Sequence, residues 1–379
     1  MSRKGREWGS ERVVWTDRET GVEITRWTSY YANSRHFYFT HPAWIDGGRK
    51  MLFISDRENA TNLFRMDMHT GEILQLTDHQ REPGLRSPAL MNEGECCFWI
   101  GQDLVVLDLD TLEERTVFRL PDDRNSGLIG CVAGDDGLLC VQQNEDLSHK
   151  IHRELGFGYI GFREYHLEYP RCEIVEVDTR SGKSRVLHEE DYWIGHVNPS
   201  PTRPELVSFC HEGPWPLVDQ RIWCLNRETG ELWKVRPEEP GEALGHEYWL
   251  ADGETLGYHG KPAKGEHHVF GFTRFDNTLQ EEGKFTWAST HFHSKDRRLI
   301  VGDGTGQCPY LLLWSHDEEV FSEARKLAFH RGSWHIQDVH VHPRFSPEGD
   351  YVLYTTDHMG YGQVHTAKMP ENMEDLPFA

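Results

Sequence analysis

The chain has 379 residues, 62 of them acidic against 40 basic, for a formal net charge of −22. A field of that sign repels a long polyanion, so nucleic acid is not an expected partner, and an anionic ligand would have to be short and met by a local cation. No run of about 18 apolar residues occurs, so no membrane-spanning helix is expected, and the polar start "MSRKGREWGS" lacks the apolar stretch of a secretory signal.

The first element, "VVWTDRETGVEITRWTS", reads as a single hairpin. Residues 41–78 then divide into a strand near His41, a turn at "DGGRK", the strand "MLFIS", the turn "DRENAT", the strand "NLFRMDM", the turn "HTGE" and an outer strand "ILQLT". Four antiparallel strands in about 40 residues is the size of one propeller blade. The same closing turn returns in "MDMHTGEILQL", "LDLDTLEERTV", "VDTRSGKSRVL" and "LNRETGELWKV". Blade starts near residues 41, 88, 131, 196, 246, 291 and 340 give seven units. The last unit has only three strands before the chain ends, and the N-terminal hairpin can supply its missing edge. These elements predict an all-β protein, a seven-bladed β-propeller with N-terminal strands closing the last blade. It is read as one domain over residues 1–379, with about 144–171 an insertion overhanging one face and the only stretch of helical or long-loop character.

The composition agrees: 13 Trp, 13 Tyr and 18 Phe among 35 Gly suit aromatic strands cut by turns, with surface for a sugar or peptide. Eight cysteines with no C-x-x-C pair point to reduced thiols in a cytoplasmic protein rather than to a disulfide framework or a zinc site.

Fold alone gives no function, so the chemistry must come from particular residues. In "QDVHVHP", His340 and His342 stand two apart, and on a strand both would face the same way. Gln337, in the turn before, can add an amide oxygen. Two imidazoles with one hard oxygen suit Mn²⁺, Ca²⁺ or a similar cation better than structural zinc. "HFHS" in the preceding blade offers His291 or His293 as a further ligand. The plain alternative is polar decoration of a channel wall. His246 in "GHEYW" is a candidate general base. Arg221 in "DQRIW" could clamp a carboxylate, and His196 and His211 could contact a ligand or only polarise the channel. No G-x-S-x-G elbow is present, which sets the chain apart from propeller-bearing peptidases.

The ordered series "NSRHFYFTHPAW", "GHVNPSP..PELVSFCHEGPW", "DQRIW", "GHEYWLADG", "HFHS...LIVGDG" and "QDVHVHPRFSPEGDYVLYTTD" resembles the oligogalacturonate lyase family over about residues 6–370. The resemblance implies a Mn²⁺-type cation held by His291, Gln337, His340 and His342, a His246 base and an assisting Arg221. The implied reaction is β-elimination of a short α-1,4-linked galacturonide in the cytoplasm, the C5 proton being acidified by the neighbouring carboxylate. A non-catalytic scaffold propeller and a metal-dependent hydrolase of another uronate are the competing expectations, and a homodimer is left open against a monomer.

Overall fold

The computed structural model describes residues 2–379 except 136, 156, 157, 265 and 266. The fold class is the seven-bladed β-propeller: among the described residues the strands form seven antiparallel sheets. The chain clusters into two compact units, Met1–Leu85 with Phe285–Ala379, and Arg86–Lys284.

The first unit holds three sheets. One contains Lys50–Ser55, Asn62–Asp67 and Ile73–Gln75, the strands expected from "MLFIS", "NLFRMDM" and "ILQLT". The second joins the chain ends: Arg344–Phe345, Tyr351–Thr356 and Gln363–Lys368 continue into Glu23–Arg26 and Val13–Thr16. Ile24 pairs with Ala367 and Arg26 with His365, so the N-terminal hairpin completes the last blade. The third runs from Phe292–Ser294 through Leu299–Gly302 and Tyr310–Ser315 to Arg325–Phe329. Leu311, Leu313, Leu327 and Val352 are fully buried between these sheets, each stabilising the packing by about 1.5–3 kcal/mol.

The second unit holds four sheets of four consecutive strands. Two of them matter for chemistry. Ile194–Pro199, Leu206–His211, Ile222–Asn226 and Leu232–Lys234 form one. Ala243–Trp249, Thr255–Lys261, His268–Arg274 and Gln280–Phe285 form the other. One expected start is displaced: the strand placed near residue 131 is Arg124–Cys131 and ends there. Its glycines break the alternation that would have marked it, and Gly130 packs so tightly that an added Cβ would lie 2.1 Å from Pro199. The 144–171 stretch lies between Leu138–Glu145 and Arg171–Asp178, and a short helix, Phe162–Leu167, forms within it.

The repeated turn has a common cause. Asp67, Asp108, Asp178 and Asn226 each accept backbone N–H groups two and three residues on. The chain then needs a left-handed residue, supplied by Gly71, Gly182 and Gly230. In "LDLDTLEERTV" Leu112 adopts that conformation instead, at φ 61°.

Candidate functional site

In the first unit, His291, His340 and His342 bring one ligand nitrogen each to within 4.8 Å of one another. That is a little wider than twice a metal–nitrogen bond of about 2.1 Å. All three rings are buried, with centres 4.1 Å (His291–His342), 5.5 Å (His340–His342) and 5.6 Å (His291–His340) apart. Tyr38 stands edge-on 4.9 Å from His342, and Phe39 lies 5.6 Å from His291. These aromatic walls exclude water from the imidazoles. Burial, reinforced by the neighbouring His291, pushes His340 down to about 4 and His342 well below its ordinary value. Both are therefore neutral near pH 7, the form that can donate to a metal.

The way these histidines are carried differs from expectation. Gln337–Val339 is a 3₁₀ turn and the next strand starts only at Arg344, so His340 and His342 do not lie on a β-strand. His340 is extended, at φ −61° and ψ 146°, whereas His342 is left-handed, at φ 45°. It is this twist, not pleat alternation, that turns His342 toward its partners. Gln337 starts the turn with an exposed side chain, and its carbonyl accepts the His340 N–H at 3.2 Å.

The structure separates His291 from His293. His291 precedes the strand Phe292–Ser294, and its Nδ1 meets Asp303 Oδ2 at 2.7 Å. Asp303 Oδ1 also accepts the N–H groups of Thr290 and His291 at 2.8 Å. A fully buried carboxylate thus engages Nδ1 of the His291 ring and leaves Nε2 as the nitrogen it can present to a cation. His293 stands outside the cluster; its Nδ1 accepts the Phe345 N–H at 3.3 Å and its ring packs on Phe345.

Whether these residues suit a cation can be judged from their donors. His340 Nδ1 and His342 Nε2 are buried without a hydrogen-bond partner among the described residues. Leaving a buried polar atom unmatched costs about 1–3 kcal/mol, and a divalent ion among the three imidazoles removes that penalty. The donor set fits.

The second unit gathers a different group. His246 Nδ1 lies 3.0 Å from His259 Nε2, and the His196 ring is centred 6.1 Å from His246. Arg221 is buried; its Nη1 donates to Glu212 at 2.9 Å and its Nε to Glu247 at 3.2 Å. Its backbone N–H donates to Glu238. His196 reaches both carboxylates, Glu247 at 3.5 Å and Glu212 at 3.8 Å. Burial opposes ionisation of Glu212 most strongly, yet the Arg221 charge, neighbouring His196 and the hydrogen bonds from Arg221 and the Gly213 N–H together outweigh it and hold the carboxyl below its usual range. His196 and His246 take left-handed φ of 47° and 49° where the strand register slips, between Gly195 and Asn198 and between Gly245 and Tyr248. Such conformations cost on the order of 1–3 kcal/mol and re-aim side chains at functional sites. His211 goes elsewhere. Strand alternation sends Cys210 and Glu212 toward Arg221 and His211 to the opposite face, where Nε2 meets Glu190 at 3.0 Å and the ring stacks on Tyr192.

Asp303, His259, Glu212 and Glu247 escaped the sequence reading, although each lies in or beside a histidine motif already singled out. Asp303 is the aspartate of "LIVGDG" and His259 sits in "GYHG". A carboxylate or second imidazole near a functional histidine is the usual orienting partner, and that was the available signal.

Two layers of likeness place the chain. A family model described as oligogalacturonate lyase matches residues 3–373. The oligogalacturonate lyase of Dickeya dadantii is 27% identical over 397 residues, spanning 98% of this chain and 99% of the relative. A solved oligogalacturonate lyase in complex with manganese superposes with a TM-score of 0.88 at 27% identity, over 98% of this chain and 99% of that one. The oligogalacturonate lyase structure from Vibrio parahaemolyticus gives 0.88 at 26%, over 98% and 100%. The family model and these relatives place this β-propeller among the lyases. The chain belongs to the oligogalacturonate lyase family.

Proposed function

We propose that this protein cleaves short α-1,4-linked galacturonides by β-elimination, releasing an unsaturated uronate. The observation that carries the reading is the buried triad of His291, His340 and His342, two of whose nitrogens have no partner among the described residues. In the proposal these residues and Gln337 hold Mn²⁺, the ion with which a relative of the same fold was solved; when bound, it supplies positive charge to the C6 carboxylate and to the negative charge that grows as C5 loses its proton.

The rest of the work falls to side chains. His246 accepts the C5 proton at Nε2. The C5–H electron pair becomes the C4=C5 double bond, and the C4–O pair leaves with the departing sugar oxygen, which takes a proton from solvent. Arg221 has Nε and Nη1 committed to carboxylates, and Nη2, without a partner among the described residues, is the group proposed to meet the substrate carboxylate. Glu212 and Glu247 fix that guanidinium in one orientation. His196 is proposed as a further substrate contact on the same group, and His211 as a more distant one held by Glu190. Among the described residues no helix is long and apolar enough to cross a membrane, and a cytoplasmic setting belongs to the same reading.

The test is incubation of purified, Mn²⁺-supplemented protein with digalacturonate. The expected result is a rise in ultraviolet absorbance of a conjugated enoate, with product masses that sum to the substrate without added water. No absorbance change with both metal-loaded and metal-free protein would sink the proposal, and a product heavier by one water would make the enzyme a hydrolase.

A further inference from the structure

His259 has no part in the chemistry so far, yet it makes a direct polar contact with the proposed base. Its ring is buried on the strand Thr255–Lys261, beside the strand that carries His246. The two rings are inclined by only 16°, their centres are 5.2 Å apart, and His246 Nδ1 and His259 Nε2 are 3.0 Å apart. Nearly coplanar rings in that relation meet end to end through one N–H···N hydrogen bond, not face to face.

Local structure enforces the contact. Gly245 pairs with His259, and the register then slips so that Tyr248 opposes Gly257, leaving His246 in the bulge. Its left-handed φ swings the ring back along the strand toward His259. Trp215 stands edge-on to His259 with centres 6.0 Å apart. A Cβ at position 245 would lie 3.1 Å from that indole, so glycine is what lets Trp215 cover the pair.

One proton in an N–H···N bond allows two arrangements, with opposite consequences. If His259 Nε2 donates, His246 must carry its own proton on Nε2 and has no lone pair there to take the C5 proton. If His259 carries its proton on Nδ1, its Nε2 accepts from His246 Nδ1–H, and His246 Nε2 is left with a lone pair. We propose that His259 is the positioning residue of the base: it accepts from His246 Nδ1–H, fixes the reactive tautomer, and keeps that hydrogen bond when His246 becomes an imidazolium. The inference rests on the assignment of His246 as base. It makes this a His–His pair in the role that a carboxylate–His pair fills elsewhere.

The arrangement also carries a pH signature. The charged and titratable groups around the pair are His196 beside His246, Glu212 and Glu247 behind His196, and Arg221 between those carboxylates. Protonation of His259 turns its Nε2 into a donor facing another donor, so it disables the base in addition to any protonation of His246 itself.

The experiment compares wild type with His259→Leu, His259→Gln and His246→Ala, each Mn²⁺-loaded and checked for native circular dichroism, on digalacturonate from pH 5 to 9. For His259→Leu the expected result is a kcat about tenfold to a hundredfold lower, the size of losing an orienting partner, with KM little changed and an altered acid limb of the kcat profile. His259→Gln, whose amide oxygen can accept from Nδ1–H, should recover much of the loss. Full kcat and an unaltered profile in folded His259→Leu, with His246→Ala inactive, would overturn the positioning role alone. Activity in His246→Ala would overturn the base assignment beneath it. Should His259→Leu fail to fold, ¹⁵N chemical shifts of the wild-type imidazoles decide: protonated Nδ1 on both neutral rings supports the proposal, and protonated Nε2 on both ends it.

Discussion

The two histidine groups solve opposite electrostatic problems. In the first unit, three imidazoles crowd together with one carboxylate behind them, and two buried nitrogens lack partners among the described residues. In the second, the single Arg221 guanidinium is shared by two carboxylates, Glu212 and Glu247, and His196 lies within 3.8 Å of both. The first group has the donor set for a cation. The second holds a guanidinium between two carboxylates and pairs His246 with His259. What separates the two is the fixed guanidinium: the second group holds Arg221 between its carboxylates, whereas the first is built of three imidazole rings.

Substitutions should separate the groups cleanly. His340→Ala is expected to have the largest effect: metal content by elemental analysis drops toward zero and turnover goes with it, and excess Mn²⁺ does not restore either. His246→Ala should keep the metal and lose about 10²- to 10⁴-fold in kcat, the range of a general base; metal loss in this variant would show that the groups are not independent in the way described. Asp303→Asn keeps a polar partner for His291 but not the charge, and titration calorimetry should find Mn²⁺ bound about tenfold to a hundredfold more weakly.

Acid should act on the metal-free protein through rings that bind no metal. Burial pushes His330 down to about 4 and His365 to about 3, from an ordinary 6.5. The unfolded chain therefore takes up protons first on acidification. The stability held by each neutral ring is complete above about pH 6.5 and is lost as the pH falls toward 4, on the order of 3 kcal/mol for each. Urea midpoints at pH 7 and pH 5 should show the loss; equal midpoints would contradict it. The smallest change is expected for His293→Leu, which leaves the Phe345 N–H without its acceptor: about 1–3 kcal/mol of stability lost and metal content unchanged.

Much of the architecture could be read in advance because its signals are local. An Asp or Asn that accepts two backbone N–H groups, followed by a glycine, marks the same hairpin wherever it occurs, and Leu112 shows that the side-chain cap can impose the turn even without the glycine. The strand Arg124–Cys131 was misplaced because Gly127 and Gly130 serve close packing and erase the pattern. At the site, "QDVHVHP" picked out two histidines that the structure does bring together, but not by the expected geometry. Two residues apart on a strand implies a shared face; the structure reaches convergence through a 3₁₀ turn and a left-handed His342, and nothing in a histidine's identity announces a positive φ. The partners Asp303 and His259 were hidden because they come from the neighbouring strand, and cross-strand pairing depends on where a bulge shifts the register.

The sheet that joins the chain ends also sets a timetable. Trp27 Nε1 donates to Thr366 Oγ1 across 339 positions of sequence, and Glu23–Arg26 has no sheet to join until Gln363–Lys368 has been made. His340 and His342 run directly into Arg344–Phe345, the opposite edge of that sheet. On a ribosome, which delivers residues in order at about 5–20 per second, the N-terminal hairpin therefore waits for Gln363–Lys368 before that sheet can close, and His340 and His342 are made shortly before those strands.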